Sequence, residues 1–303
     1  MIPDIAYLIL NFNPNGEQTA QEILGITIDT FYRRKSNKLT CDIFLLDQGT
    51  TTNHRKWLIE KQNQYNFSTI MLNRNIGISG AINLFVKTCK SPVVGLITSD
   101  VIITSGMDED LYAKVQIPEV FQATPFTDKS DVDYQTWQPK EAFGADRVDL
   151  SNLQGRRQFF LRRLSSKRTG SYLRCVGAEF NVMFWRKSVF DEIGYFDERW
   201  KACYENIDFS LRCFLAGGCT AISRDAFVWH YHKVTEKNKA RKELYDVDNW
   251  QQGIQEEWNN KWPDLSSYFN IYNPLKNKTI NDFKEFYDKF KHNIYLSSEQ
   301  PYS

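Results

Sequence analysis

The sequence lacks the features that mark membrane, secreted or nucleic-acid-coating proteins. No apolar stretch approaches the roughly 20 residues of a membrane-spanning helix, and the opening MIPDIAYLILNFN has no basic leader. The formal net charge is only +1, so no global field draws the chain to nucleic acid or to an anionic membrane. These absences predict a cytoplasmic protein without a transmembrane segment.

Cysteine is also scarce, and repeats are missing. The six cysteines include no pair with Cys-x-x-Cys spacing, so we expect reduced thiols and neither a disulfide framework nor a zinc site. The absence of internal repeats and low-complexity tracts argues against solenoids and long linkers. The 303 residues, 42% of them hydrophobic, suffice for one large domain or two smaller ones.

What the sequence does contain is an alternation of strand and helix patterns. Continuous apolar runs near residues 5–10, 41–46, 68–72 and 91–98 predict buried strands, and helical spacing follows each of the first three. This pattern is typical of an α/β fold with a mostly parallel sheet covered on both faces. Two further strands are predicted at 176–185 and 220–230, and two further helices at 187–193 and 205–215. Residues 107–150 have no regular pattern.

The four predicted strands of the first hundred residues all end in polar side chains. These are Asn13, Asp47, the run from Asn73 to Asn75, and Asp100. In parallel α/β sheets, ligands bind beyond the carboxyl ends of the strands. Four polar strand ends on one edge therefore favour a nucleotide site over simple turn formation.

Three ordered segments resemble glycosyltransferase family 2. LDQGTT (46–51) is similar to the family's strand-two D-N-G-S segment. NRNIGISGAIN (73–83) is similar to its N-x-G-x-x-x-x-x-N segment, and ITSDVIIT (97–104) stands in the place of the DxD motif. The block at 177–212 contains GYFDE and YENIDFSLR, similar to G-x-F-D-E followed by E-D-x-D-x-x-x-R. The ordered set, over about residues 5–235, is far more specific than any one piece.

The resemblance implies a single Rossmann-like (GT-A) catalytic domain over residues 1–235, followed by a helical tail at 236–303. Residues 1–105 would bind the nucleotide and residues 106–235 the acceptor. The implied reaction moves a sugar, with inversion, from a UDP- or dTDP-sugar to a hydroxyl acceptor. It would require Mn²⁺ or Mg²⁺, because a divalent cation neutralises the charge that builds on the diphosphate leaving group.

The metal site implied by the resemblance is reduced. Asp100 holds the DxD place, but Ser99 and Ile102 occupy the other acidic positions. A second protein ligand is therefore expected, and His230 is the candidate, with His232 as the alternative. Ordinary packing roles for both histidines remain open.

On the donor side, Asp47 would accept the N3–H of uracil or thymine, with an Asx turn as the alternative. Phe12 and Asn13 would flank the base. Asn73, Arg74 and Asn83 would reach the ribose and diphosphate, although a surface salt bridge remains open for Arg74. The full predicted donor set is Asn11, Phe12, Asn13, Asp47, Asn73, Arg74, Gly77, Asn83 and Ser99.

The general base is ambiguous, because the family's Glu-Asp pair is Glu205-Asn206 here. Either Glu205 or Asp208 would deprotonate the acceptor hydroxyl. This departure leaves open a non-catalytic binder of sugar nucleotides or glycans on the same fold.

The acceptor is expected to be a glycan or glycolipid, on family prevalence. A basic tract with Arg156, Arg157, Arg162 and Arg163 would contact an anionic acceptor, or would dock DNA if the enzyme glycosylates a hydroxylated base. A solvated helix face is the plain alternative for the tract. Trp262 would stack on an acceptor sugar or, as we favour, would pin the tail onto the catalytic domain.

Overall fold

The computed structural model describes residues 2–128, 130, 135, 170–231, 244, 250–265 and 280–294. The strands β1 to β9 are Ile5–Asn11, Cys41–Gln48, Ser68–Leu72, Val93–Thr98, Val101–Ile103, Val120–Thr127, Tyr172–Cys175, Val182–Arg186 and Cys219–His230. The helices α1 to α8 are Gln18–Arg34, Thr52–Tyr65, Gly77–Thr88, Met107–Val115, Ser188–Ile193, Glu205–Leu215, Trp250–Lys261 and Ile280–Phe290. A 3₁₀ turn at Lys291–Ile294 follows α8.

One sheet joins all nine strands, in the order β3-β2-β1-β4-β8-β6-β9-β5, with β7 paired to β9. The first half of the chain supplies the parallel block, in which β1 lies between β2 and β4 and β2 also pairs with β3. The second half supplies β8, which runs antiparallel to both β4 and β6. The predicted α/β fold, with a mostly parallel sheet and helices at the carboxyl end of the chain, is confirmed.

The sheet has a separate hydrophobic core on each face, and alternating residues of β1 contribute to both. Ile5, Tyr7 and Ile9 face one core, together with buried residues of α1 and α4. Ala6, Leu8 and Leu10 face the other, together with residues of α3, α5, α6, α7 and α8. Because β1 is covered on both sides, all seven of its residues are buried, and the first six, Ile5 to Leu10, form one apolar run.

A bulge interrupts the pairing of β6 with β9. Pro125 is opposite Ser223, but the next β6 residue, Phe126, is opposite Phe227, so three residues of β9 have no partner on β6. Proline has no backbone N–H to give to a ladder, which is why such interruptions occur beside it. Beyond the bulge, the last residues of β9 pair with β5.

Two regions differ from the sequence prediction. Residues 107–127, for which no regular pattern was recognised, include helix α4 and strand β6. Of the strand predicted at 176–185, only residues 182–185 are strand, as part of β8, whereas β7 lies before the predicted range at 172–175. The predicted domain boundary at residue 235 lies outside the described residues.

Helix α7 packs against α6 and the turn after α5 through buried charges. The Lys261 ammonium, at the end of α7, lies 2.8 Å from the Asp197 carboxylate and 2.7 Å from that of Asp208, and all three side chains are at most 2% exposed. Arg212 and the Trp262 indole also donate to Asp208, at 3.0 and 2.9 Å. Burial alone would raise the pKa of Asp208, but Lys261 and Arg212 outweigh that cost and hold it below its usual range.

In the described part of the chain, no helix combines the length and the apolar character needed to cross a membrane.

We expect Lys261→Met to lower the free energy of unfolding by about 3–5 kcal/mol, because it leaves two buried carboxylates with one fewer cation. Urea denaturation measures the change. The control is Lys291→Gln, which removes an ion pair to Asp288 whose side chains are 54% and 55% exposed, with an expected cost of about 0–1 kcal/mol. Equal effects of the two substitutions would contradict a stabilising role for the buried pairs.

Candidate active site

The site is built where the parallel strands end. In the register of the sheet, Asn11 at the end of β1 lies beside Asp47 of β2, and Leu10 lies beside Thr98 at the end of β4. Antiparallel β8 begins at the same edge, where the backbone of Asn181 accepts from the Thr98 N–H at 3.0 Å. The ends of β1, β2 and β4 and the start of β8 thus lie close together at one edge of the sheet.

Asp47 is held by two side chains. The Asn11 amide donates to one carboxylate oxygen at 2.9 Å, and the Arg55 guanidinium donates to the other at 3.1 Å. The Asp47 side chain is fully buried, whereas that of Arg55 is 26% exposed. Arg55 also donates to the backbone oxygen of Leu72, so it joins the ends of β2 and β3. Arg55 and Asp47 thus form an ion pair at the carboxyl end of β2.

His54 completes this cluster from the first turn of α2. That helix begins directly after β2, and Thr51 caps it by accepting from the His54 N–H. The imidazole lies between the amide of Asn11, 3.1 Å from Nε2, and the side-chain oxygen of Gln21, 3.2 Å from Nδ1. Since the Asn11 amide nitrogen is a donor, Nε2 must accept and the proton must be on Nδ1. Burial lowers the pKa of His54, although nearby Asp47 opposes the shift.

The predicted metal ligands Asp100 and His230 lie together. Asp100 precedes β5, which pairs antiparallel with the end of β9 so that Val101 is opposite His230. The Asp100 backbone oxygen accepts from the Tyr231 N–H at 2.8 Å, and His230 Nε2 lies 3.2 Å from the Asp100 carboxylate. A hard carboxylate oxygen next to an imidazole nitrogen is a donor set that suits Mn²⁺.

Asp128 extends this region, since its carboxylate accepts from the His230 backbone N–H at 2.8 Å. Within the described ranges, however, no three His, Cys, Asp or Glu side chains form a cluster that could hold a metal ion. The protein ligands found together are therefore two, and further ligands would have to be substrate oxygens or water. His232 lies outside the described residues.

Three other predicted donor residues lie at the same edge. Asn13, 1% exposed, has its side chain bonded to the backbone N–H and oxygen of Glu17, which fixes the turn before α1. Phe12 is half-buried in that turn. Ser99 follows β4, and its backbone oxygen accepts from Thr27 at 3.0 Å. The amide nitrogen and the amide oxygen of Asn13 thus both stabilise the loop after β1.

The loop after β3 presents Asn73 and Arg74 to solvent. This loop passes so close to the end of β2 that a Cβ added at Gly49, where φ is +80°, would lie 3.1 Å from the Arg74 Cα. Gly77, also at φ +80°, meets the backbone of Lys201, and a Cβ there would lie 2.6 Å from the Lys201 oxygen. Both contacts require glycine.

Asn83, which we predicted at the ribose and diphosphate, is instead buried between α3 and the turn after α5. Its amide donates to the Phe196 backbone oxygen at 2.9 Å and to Glu198 at 2.8 Å, and its oxygen accepts from the Phe196 N–H. All of its hydrogen-bonding atoms are thus used within the protein.

The two candidate bases differ in surroundings. Glu205 is half-buried in the first position of α6, where the helix dipole favours a carboxylate. Asp208 lies one turn further along and is 1% exposed, with both oxygens engaged by Lys261, Arg212 and Trp262. The neighbouring Asn206 amide donates to the Ala178 backbone oxygen, which connects the start of α6 to the segment before β8.

Trp262 is 1% exposed and packs in the core, so its ring is not available for sugar stacking and the packing alternative holds. The four arginines of the basic tract, Arg156, Arg157, Arg162 and Arg163, lie outside the described residues.

Sequence reasoning missed Arg55, His54, Asp128 and Lys261. For the first two a signal existed, because a helix that starts three residues after a strand must place its first-turn side chains over the strand end. Asp128 follows the unrecognised strand β6. Lys261 had no local signal, since a lysine on a polar helix reads as a surface residue.

The fold and site are those of an α/β protein with a polar cluster at its parallel strand ends and a carboxylate–imidazole pair beside it. Residues 16–229, more than half of the chain, match the model of glycosyl transferase family 2, and the chain belongs to that family. This confirms the predicted resemblance and supports the predicted glycosyltransferase class. No curated protein sequence matches the chain.

Solved structures share the fold at low sequence identity. A crystal structure of GalNAc-T7 with UDP, GalNAc and Mn²⁺ has a TM-score of 0.60 and 16% identity, over 99% of this chain and 58% of that one. S. aureus TarS 1–349 in complex with UDP-GlcNAc has a TM-score of 0.52 and 11% identity, over 96% of this chain and 72% of that one. The chain therefore spans little more than half of the GalNAc-T7 chain, and the GT-A fold is confirmed.

Because His54 is held neutral, we expect the protein to lose stability as the pH falls below the ordinary histidine value of about 6.5. Protonation removes the acceptor for Asn11, and the unfolded chain takes up the proton more readily than the native one. His54→Gln abolishes this titration, so its unfolding free energy should change less between pH 7.5 and 5.5 than that of the wild type. If urea denaturation gives the same pH dependence of the unfolding free energy for the wild type and for His54→Gln, then His54 is not the source of that dependence.

Proposed function

We propose that this protein is a metal-dependent glycosyltransferase that moves a sugar from a UDP- or dTDP-sugar to a hydroxyl acceptor. The observation that carries the proposal is the Asp100–His230 pair, placed beside the strand ends that hold Asn11 and Asp47. Family membership and the UDP bound in GalNAc-T7 and TarS support the same class of donor.

For the donor base, we assign the N3–H of uracil or thymine to Asp47. Each carboxylate oxygen can accept two hydrogen bonds, so the bonds from Asn11 and Arg55 leave acceptor capacity. Since the side chain is fully covered, contact with a base requires neighbouring side chains to move. A carboxylate at this position accepts hydrogen bonds, so it would select a base that carries a donor.

For the leaving group, Asp100 and His230 would hold a divalent cation through a carboxylate oxygen and an imidazole nitrogen. When bound, such a cation neutralises the negative charge that develops on the diphosphate. The exposed Arg74 side chain, on the loop beside the end of β2, would add a positive charge to the phosphates.

For the acceptor, we assign the general base to Glu205. Asp208 is the less suitable of the two candidates, because a carboxylate that is buried and bonded to two cations and an indole is a poor proton acceptor. Glu205 has a carboxylate at a helix start and partial access to solvent. Direct attack by the deprotonated hydroxyl on the anomeric carbon would invert its configuration, and a glycan or glycolipid hydroxyl is the proposed acceptor class.

Asp100→Asn should abolish metal-dependent nucleotide binding. In thermal unfolding, Mn²⁺ plus UDP or dTDP should raise the wild-type midpoint, because a ligand specific for the native state stabilises it. The variant should lose the metal-dependent part of the shift, whereas the exposed-site control Asp191→Asn should retain it. A wild-type midpoint that no nucleotide raises, among UDP, dTDP, GDP, CMP and ADP, would overturn the donor site.

Glu205→Gln should lower the rate of transfer or donor hydrolysis by about 10²- to 10⁴-fold, the range that general-base catalysis supplies. The nucleotide-dependent shift in the unfolding midpoint should persist. The control is Glu192→Gln, an exposed glutamate at the end of α5. Nucleotide binding by the wild type without turnover of any UDP- or dTDP-sugar would instead indicate a non-catalytic binder. NMR of the product anomer tests inversion.

A further inference from the structure

Helix α7 contacts the chain on both sides of Glu205. Tyr204, the residue before it, stacks on Trp258 with ring centroids 4.5 Å apart, and its hydroxyl donates to Gln255 at 2.7 Å. Asp208, one turn after it, binds Lys261 and Trp262. Gln255, Trp258 and Lys261 are spaced three residues apart, which places them on one face of α7, and Trp262 follows the last residue of that helix.

The backbone at Tyr204 has a conformation that residues other than glycine rarely adopt. Tyr204 has φ +65°, in the left-handed region, and its carbonyl oxygen accepts the first-turn hydrogen bond of α6 from the Asp208 N–H at 2.8 Å. Such a conformation costs free energy and persists only where surrounding contacts hold it. The side-chain contacts that can hold it are the stacked Trp258 ring and the Gln255 side chain of α7, together with the Trp200 ring, which meets the Tyr204 ring edge-on at a centroid distance of 6.2 Å.

From these contacts we infer that α7 is a positioning element of the active site, which fixes the Glu205 carboxylate by holding Tyr204 and Asp208. The inference rests on the proposed role of Glu205. It gives the C-terminal helix a function beyond stability, because a general base displaced by about 1 Å loses much of its rate advantage.

The chain offers a matched pair of substitutions on the exposed side of α7. Gln255 and Gln252 are both exposed, and each donates to the residue four positions later at 3.0 Å, Asn259 and Glu256 respectively. Only Gln255 also accepts from the Tyr204 hydroxyl. Comparing Gln255→Ala with Gln252→Ala therefore isolates that contact, without disturbing the buried ion pairs.

Gln255→Ala should lower kcat by about three- to tenfold, the range that corresponds to one neutral hydrogen bond. The donor KM and the UDP-dependent shift in the unfolding midpoint should stay at wild-type values. Gln252→Ala should resemble the wild type, and Gln255→Glu, which keeps an acceptor for the hydroxyl, should restore kcat. A wild-type kcat in Gln255→Ala, or a parallel loss of UDP binding, would overturn the inference.

Tyr204→Phe removes the same hydrogen bond from its other end. If the hydroxyl acts through Gln255, the double variant should be no slower than the slower single variant. If the two losses in kcat multiply, the hydroxyl acts independently of α7, and the inference fails.

Amide hydrogen exchange over residues 204–209 provides a readout that does not need activity. Gln255→Ala should accelerate exchange at the start of α6, and unchanged protection there would overturn the positioning role. If the wild type turns over no donor, the proposed function fails, whereas this measurement still decides whether α7 holds the start of α6.

Discussion

The parallel pairing of β1 with β2 on one side and β4 on the other is the constraint on which the site depends. In-register pairing brings Asn11 beside Asp47 and Leu10 beside Thr98, and the chain then continues from β4 through Ser99 to Asp100. A slip of one residue in either pairing would turn every side chain of the strand to the opposite face of the sheet. The two hydrophobic cores, one on each face of β1, oppose such a slip.

The two halves of the site are stabilised by different means. In the first half, the polar cluster around Asp47 is closed by the first turn of α2, which follows β2 within a few residues. In the second half, the buried charges around Asp208 are balanced by Lys261, which lies more than fifty residues further along the chain. The first half can therefore order itself locally, whereas the second requires the C-terminal helices to be in place.

The sequence was sufficient for elements whose residues are uniformly apolar or regularly spaced. Strand β1 and helix α6 were predicted within a residue or two, because their patterns are continuous. Strand β6 was missed since Gln122, Thr124 and Pro125 interrupt its apolar run, although all of its residues are buried. Its polar side chains are satisfied by partners such as Ser210 and Thr220, which no local pattern indicates.

The same limit applies to the site. The order of motifs was enough to pair Asp100 with His230 across the sheet. It could not tell that Asn83 and Asp208 turn inward, because only the folded chain provides Phe196 and Lys261 as their partners. A polar residue in a family motif can therefore serve either the ligand or the framework.

The bulge in β9 has a consequence for how this chain can vary. Its three extra residues are an odd number, so the inward and outward sides of the strand exchange between Ser223 and Phe227. The number of unpaired residues in the bulge thus determines the side of β9 on which His230 meets Asp100. Losing or gaining one residue in this bulge would point the imidazole away from its carboxylate. The number of residues between Ser223 and Phe227 therefore decides whether the two groups of the candidate metal site can meet.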